Sequence, residues 1–342
     1  MDEEQPSLSV VGGRAGHEAL ETALFEIKRV IAGQDEMLER VLVCLLSGGH
    51  LLIEGVPGLA KTLTIKTTAA VLGGTFNRVQ FTPDLVPADL VGTRIYRPGQ
   101  ERFDVELGPV FCNFLLADEI NRAPAKVQSA LLEVMQERQV TIGHDTHLVP
   151  DPFLAMATQN PIESEGTYPL PEAQVDRFLM KLLVDYPSVD EETAIIDRSV
   201  GAPPATEVRV SSADLERFRT VARNVFVDRA VVRYAAELGA ATRFPGRYGL
   251  ERLEEVVQYG SSPRGPIALV HSAQALALLR GRQHVVVDDL RHLAGDVLRH
   301  RITLSYDAAA EGVDPDSVVA AVLDAVHPPA YEVLSSPAAI AA

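Results

Sequence analysis

The stretch "IEGVPGLAKTLT", residues 53–64, decides the fold. A phosphate-binding loop reads G-x-x-x-x-G-K-[ST]; Gly55, Lys61 and Thr62 match, and Ala60 stands where the second glycine belongs. Two readings compete: a nucleotide loop with one substitution, or a glycine turn capping an ordinary helix. The flanks favour the first. "HLLIEG" ahead of the loop reads as a short buried strand and residues 61–72 behind it as a helix, the context a phosphate loop requires. There the backbone N–H groups of residues 55–62 can curl around phosphate oxygens at the mouth of the helix. Lys61 would reach the β- and γ-phosphates, and the Thr62 hydroxyl would hold Mg²⁺. Alanine at 60 is compatible with this if its φ is negative, since only positive φ penalises a Cβ.

Two downstream stretches add to the pattern. "FLLADE" is an apolar strand ending in Asp118 and Glu119. One carboxylate at such a strand end can hold a Mg²⁺ coordination shell, and its neighbour can orient and polarise an attacking water. A surface acidic strand end is the bland alternative, which the phosphate loop upstream disfavours. In "ATQNP", Asn160 follows another apolar strand and could hold the lytic water or touch the γ-phosphate; by itself an Asn-Pro turn explains it as well.

The rest of the chain fits an α/β protein with a second domain. With 342 residues, two domains are the first expectation. Residues 1–17 are polar and glycine-bearing and read as loose. Helical spacing runs over 18–31, and "AGQDE" breaks it and starts another helix through 34–47. Residues 76–81, 113–119, 153–159 and 178–186 read as strands separated by helices, notably 125–138, which argues for a parallel sheet. Residues 92–110 and 139–150 interrupt the alternation as hairpin-type inserts. After Pro187 a linker helix and loop occupy 188–210. A helical region of 211–327 follows, with candidate helices over 211–223, 228–241, 250–259, 264–280, 287–300 and 315–326. The tail 328–342 reads as poorly ordered.

Composition narrows the partners. Net charge is -16, from 47 acidic against 31 basic residues. Nucleic acid is therefore not an expected partner. Cys44 and Cys112 sit in apolar surroundings and read as reduced thiols. No signal peptide or bilayer-spanning stretch is visible, so a cytoplasmic location is expected. His144, Asp145 and His147 in "GHDTH" lack a ligand spacing and read as a solvated hairpin tip.

Together "GQDE", "GVPGLAKT", "LLADEIN", "ATQNP", "LPEAQVDRF" and "GSSPRG" resemble the MoxR family of AAA+ ATPases. The resemblance runs from about residue 18 to residue 327, and alanine before the lysine is itself usual in that family. It implies an AAA+ P-loop α/β core over 18–187, with helix-2 and pre-sensor inserts, followed by an all-α lid. By position it implies that Ile31, Gly33 and Gln34 border the adenine. The loop Gly55, Val56, Pro57, Gly58, Leu59, Ala60, Lys61, Thr62 and Leu63 would cradle the phosphates of ATP. Thr62 and Asp118 would hold the metal, Glu119 would be the catalytic base, and Asn160 would be sensor 1. Arg177 resembles an arginine finger lent to a neighbouring subunit, and Arg264 resembles sensor 2. Arginine suits both roles because its planar, permanently charged fork stabilises spread phosphoryl charge. For Arg177 the alternative is a local ion pair with Asp176 or Glu172; Arg122 is a weaker rival for an interface role. A homo-oligomeric ring, most often a hexamer, is implied, with the inserts facing the pore or a client.

The leading functional expectation is a chaperone-like remodeller acting in protein maturation or metal-cofactor insertion, with a von Willebrand factor A domain client. A magnesium-chelatase-like motor subunit, a motor related to minichromosome-maintenance helicases, and a nucleotide-gated scaffold with little turnover are the alternatives.

Overall fold

The computed structural model describes residues 8–329 except Pro57, Ala60, 161–166 and 201–205. The expectations placed on residues 1–7, Pro57, Ala60 and 330–342 lie outside the described residues. The chain opens with helices α1 (Leu8–Val30) and α2 (Asp35–Ser47), then strand β1 (Leu51–Gly55), α3 (Lys61–Val71) and β2 (Phe76–Gln80). A short α4 (Pro87–Val91) leads into the hairpin β3 (Gly92–Arg97) and β4 (Arg102–Leu107). Then come β5 (Phe114–Asp118), α5 (Ala125–Glu137), the hairpin β6 (Gln139–Ile142) and β7 (Asp145–Leu148), and β8 (Leu154–Gln159). Helix α6 (Glu172–Val175), strand β9 (Met180–Val184) and α7 (Val189–Val200) complete this half.

β2, β5, β8, β1 and β9 form one five-stranded sheet in that order, every pair parallel. Such strands are covered on both sides and read as near-continuous apolar runs. Side-chain alternation divides them between two layers. Leu51, Ile53, Phe114, Leu116, Leu154 and Met156 face one apolar cluster. Leu52, Leu115, Ala117, Ala155 and Ala157 face a second, with α5. The register aligns the C-terminal ends: Gln80 lies beside Asp118, Glu54 beside Gln159, and Gly55 beside Val184. Both inserts are antiparallel hairpins, as their sequences suggest, and they touch: a Cβ on Gly143 would lie 2.5 Å from the Arg94 Cδ.

The C-terminal region is helical: α8 (Ser212–Arg223), α9 (Arg229–Arg243), α10 (Leu253–Val256), then strand β10 (Val257–Tyr259), α11 (Arg264–Leu279), α12 (Val287–Leu298), strand β11 (Thr303–Leu304), α13 (Tyr306–Ala310) and α14 (Pro315–Ala325). Its apolar residues do not make a core of their own. Leu215, Leu269, Leu276, Leu290 and Val297 belong to the same buried cluster as Leu42 of α2 and Met180 of β9. A buried ion pair crosses the seam, with Arg40 Nε donating to Asp296 Oδ2 at 2.5 Å.

Two local expectations need correction. The first helix begins at Leu8, so residues 8–17 are helical rather than loose; Gly12, Gly13 and Gly16 each cost only about 1 kcal/mol in a helix that is otherwise favourable. Residues 250–259 are not one helix. Only Leu253–Val256 coils, and Val257–Tyr259 pairs antiparallel with Thr303–Leu304. A β-branched valine and a tyrosine ahead of Gly260 favour the extended form once a partner strand is present.

Candidate active site

The loop after β1 and the ends of β2, β5 and β8 enclose a cavity of about 440 Å³. Ligands of open α/β sheets bind outside the carboxyl ends of strands, where the strand order reverses, and this cavity sits there. It is lined by Gly55, Gly58, Leu59, Lys61, Thr62 and Leu63 of the loop and by Asp118, Glu119 and Asn160. The two glycines serve different needs. A Cβ on Gly55 would lie 2.4 Å from the Val184 carbonyl oxygen, so packing against β9 demands glycine there. Gly58 has φ +90° with open space around it, so its backbone conformation is the reason.

Lys61 opens α3 and folds back, its Nζ donating to the Gly55 carbonyl at 2.6 Å. Burial pulls its ammonium below the ordinary lysine range, while Asp118, Glu119 and Glu54 act in the opposite direction. Thr62 follows it on the cavity wall.

Apart from Arg122, the groups that hold the carboxylates are ones the sequence reading did not single out. The Thr158 hydroxyl donates to Asp118 Oδ1 at 2.6 Å and accepts from the Glu119 N–H at 2.9 Å. One hydroxyl thus fixes both acidic residues. Arg78 donates to Asp118 Oδ2 at 2.7 Å. Gln80 donates to Glu119 Oε2 at 2.6 Å, and Arg122 pairs with the same oxygen at 3.1 Å. Glu119 itself is left-handed, with φ 57° and ψ 50°. A non-glycine residue there costs of order 1–3 kcal/mol and persists only where its surroundings enforce it. Asn160 is 8% exposed and reaches the cavity wall. The sequence shows Arg78 and Gln80 only as polar alternates of a strand, and nothing in it says that this strand lies beside "FLLAD".

The cavity collects Lys61, Thr62, Asp118, Glu119 and Asn160 but not every candidate. Ile31, Gly33 and Gln34 lie at the turn from α1 to α2, outside its lining. Gly33 and Gln34 are both left-handed there, and Ile31 is buried in the cluster that also holds Leu59. Val56 packs against that cluster.

Arg177 and Arg264 lie elsewhere. Arg177 is three residues ahead of Met180, which pairs with Leu51 at the start of β1, whereas the phosphate loop follows Gly55 at its end. At about 3.3 Å per residue the strand alone separates them by more than 10 Å. The two arginines line a second cavity, of about 460 Å³, with His271, Arg138 and Arg301. Arg177 donates to Gln136 and pairs with no acid among the described residues, so the local ion pair with Asp176 or Glu172 does not form. Arg264 donates to Asp176 Oδ2 at 3.2 Å. Arg122, the rival interface residue, sits instead beside Glu119 in its own chain.

Among the described residues no group of three or more histidine, cysteine or acidic side chains could hold a metal ion; His144, Asp145 and His147 lie on the β6–β7 hairpin, where Asp145 pairs with Ile142. No helix there is long and apolar enough to cross a membrane.

A glycine-bearing loop before a helix, two carboxylates at a neighbouring strand end, a buried amide on the next and a helical lid together define a P-loop ATPase of the AAA type. Family models agree. Residues 50–180 match "ATPase family associated with various cellular activities (AAA)" and residues 250–322 match "AAA lid domain". The chain is 55% identical to Chaperone MoxR1 of Mycobacterium tuberculosis over 326 residues, 95% of this chain and 86% of that one. It is 31% identical to Protein MoxR of Methylorubrum extorquens, covering 89% of this chain and 93% of that one. A crystal structure of a candidate ATPase from Cytophaga hutchinsonii superposes with a TM-score of 0.89 at 44% identity, covering 94% of this chain and 98% of that one. The chain belongs to the MoxR family of AAA+ ATPases. It is an ATP-hydrolysing enzyme of the chaperone type.

Proposed function

We propose that the cavity at the end of β1 binds the triphosphate of ATP and that each site is completed by a neighbouring copy in a ring, most simply a hexamer. The observation that carries this is the division of the machinery. Lys61, Thr62, Asp118, Glu119 and Asn160 line one cavity, and Arg177 and Arg264 line another at the opposite end of the sheet. Each chain therefore holds two complementary half-sites.

In this reading the loop N–H groups and Lys61 hold the phosphates, Lys61 exchanging the Gly55 carbonyl for a phosphate oxygen. Pro57 and Ala60 belong to the loop by position. The Ile31, Gly33 and Gln34 turn borders the adenine, supported by the apolar cluster that Ile31 shares with Leu59. The Thr62 hydroxyl and the Asp118 carboxylate are hard oxygen donors on one wall, the donor type Mg²⁺ takes. When bound, the ion would neutralise phosphate charge. Glu119 accepts the proton of the attacking water, and Asn160 orients that water. Arg177 and Arg264 of the adjacent copy stabilise the charge on the transferring phosphoryl group.

Hydrolysis would drive remodelling of a protein client in the cytoplasm. A von Willebrand factor A domain protein undergoing maturation or metal-cofactor insertion is the proposed client, on the strength of the family resemblance.

The test mixes subunits. Lys61→Ala and Arg177→Ala chains are each inactive alone, and mixed they regain phosphate release, because a ring then contains intact composite sites. No recovery would reject shared sites. Glu119→Gln chains keep nucleotide and lose hydrolysis; used as a trap in a pull-down, they capture the client.

A further inference from the structure

The geometry points to Asp176 as a positioning residue that clamps Arg264 of the lid beside Arg177 of the core, so that both arginines are presented to the neighbouring subunit as one unit. This rests on the reading above, that the two arginines act in the adjacent copy.

Asp176 immediately precedes Arg177, and its side chain is 18% exposed. Among the described residues, every hydrogen-bond partner of its carboxylate comes from the lid. Oδ1 accepts from Arg301 Nε at 2.9 Å. Oδ2 accepts from an Arg264 terminal nitrogen at 3.2 Å and from the Ser262 hydroxyl at 3.3 Å. Arg301 extends the clamp along the core backbone, donating to the Phe178 carbonyl at 2.7 Å and the Leu179 carbonyl at 3.1 Å. Ser262 closes the lid side, its hydroxyl accepting the Arg264 N–H at 3.2 Å. Gly265 lets the turn before α11 pack closely, because a Cβ there would lie 2.0 Å from the Ser261 hydroxyl and 3.3 Å from the Arg301 Cδ.

The two arginines are free in the directions that matter. Arg264 donates one terminal nitrogen to Asp176 and its side chain stays 56% exposed. Arg177 is exposed and held by the neutral amide of Gln136, which among the described residues leaves its charge uncompensated for an incoming anion. Fixing two flexible arginines before they meet phosphate removes an entropy cost from the transition state. A shift of about 1 Å in such groups can cost on the order of a hundredfold in rate.

Asp176→Asn keeps the side chain's size and removes its charge. The expected result is a loss of at least tenfold in kcat for phosphate release, with KM and the affinity for a fluorescent ADP analogue unchanged, because the chain's own phosphate cavity is untouched. Adding Arg264→Ala should lower kcat no further than Arg264→Ala alone, since the two residues act as a unit. Mixed with Lys61→Ala chains, Asp176→Asn chains should regain activity. Wild-type kcat, or losses that add fully with Arg264→Ala, would overturn the assignment. An unrescued Asp176→Asn mixture, alongside a rescued Arg177→Ala mixture, overturns it while leaving shared sites intact. If neither mixture recovers, shared sites fail and the clamp fails with them. Should Asp176→Asn not fold, Ser262→Ala, which removes one weaker contact, should show a smaller kcat loss at unchanged KM; an unaltered kcat would count against the clamp.

Discussion

His50 makes the stability of this chain depend on pH in a calculable way. It lies just before β1, 4% exposed. The Ala155 N–H can only donate, so Nδ1 accepts from it at 2.9 Å; the ring proton therefore sits on Nε2, which donates to the Met135 carbonyl at 3.1 Å. Protonating Nδ1 would set one N–H against another. Burial, with the nearby Arg138 charge assisting, lowers its pKa from 6.5 to about 3. The folded state thus keeps His50 neutral where the unfolded chain protonates it. Its contribution is complete above pH 6.5 and is lost as pH falls from 6.5 towards 3, by about 1.4 kcal/mol per unit within that window. Between pH 7 and pH 5 that is about 2 kcal/mol, set against a total stability of roughly 5–15 kcal/mol. His300 is lowered by burial as well and acts in the same direction. Urea unfolding at pH 7, 6 and 5 reads the effect. His50→Gln should start less stable at pH 7 and then lose about 2 kcal/mol less than wild type by pH 5. Parallel pH dependences in the two proteins would refute the reasoning.

Other perturbations address the seam, the loop and the acidic pair. Asp296→Ala leaves Arg40, whose side chain is 1% exposed, with the more exposed carboxylates of Glu36 and Glu39 as its acidic partners, and should cost about 3 kcal/mol in urea unfolding. Arg40→Met should cost less, because Asp296 keeps Arg299 at 2.8 Å; equal costs would count against an ionic seam. Gly55→Ala places a methyl 2.4 Å from the Val184 oxygen and should weaken binding of a fluorescent ADP analogue by at least about tenfold, roughly 1.4 kcal/mol. Gly58→Ala meets no atom, so its penalty should stay near the 1–2 kcal/mol of a left-handed alanine. Gln80→Ala frees Glu119 Oε2 from one of its two partners among the described residues and should raise basal phosphate release; unchanged turnover would mean that Gln80 does not restrain the base.

Much of this was legible in the sequence because it is local. The β1 loop and α3 follow from a glycine turn between an apolar strand and a helix, and Asp118 and Glu119 from an apolar run ending in acids. Gln80 and Arg78 were not legible, because their role depends on β2 lying beside β5, a neighbour 40 residues away that only sheet order reveals. Thr158 looks like any strand threonine until Asp118 and the Glu119 N–H are placed around its hydroxyl. The strand β10 was hidden for the same reason, since Val257–Tyr259 extends only when Thr303–Leu304 arrives. The opposite placement of Arg177 and the phosphate loop follows from parallel pairing of β1 and β9, a tertiary fact that no single stretch encodes.

The continuous apolar cluster through α2, β9 and the C-terminal helices has a mechanical corollary. Opening a hinge within one chain would expose that cluster to water, at about 25 cal/mol for each Å² uncovered. If copies assemble as proposed, bending would fall at the joints between them, each chain turning as a stiff block.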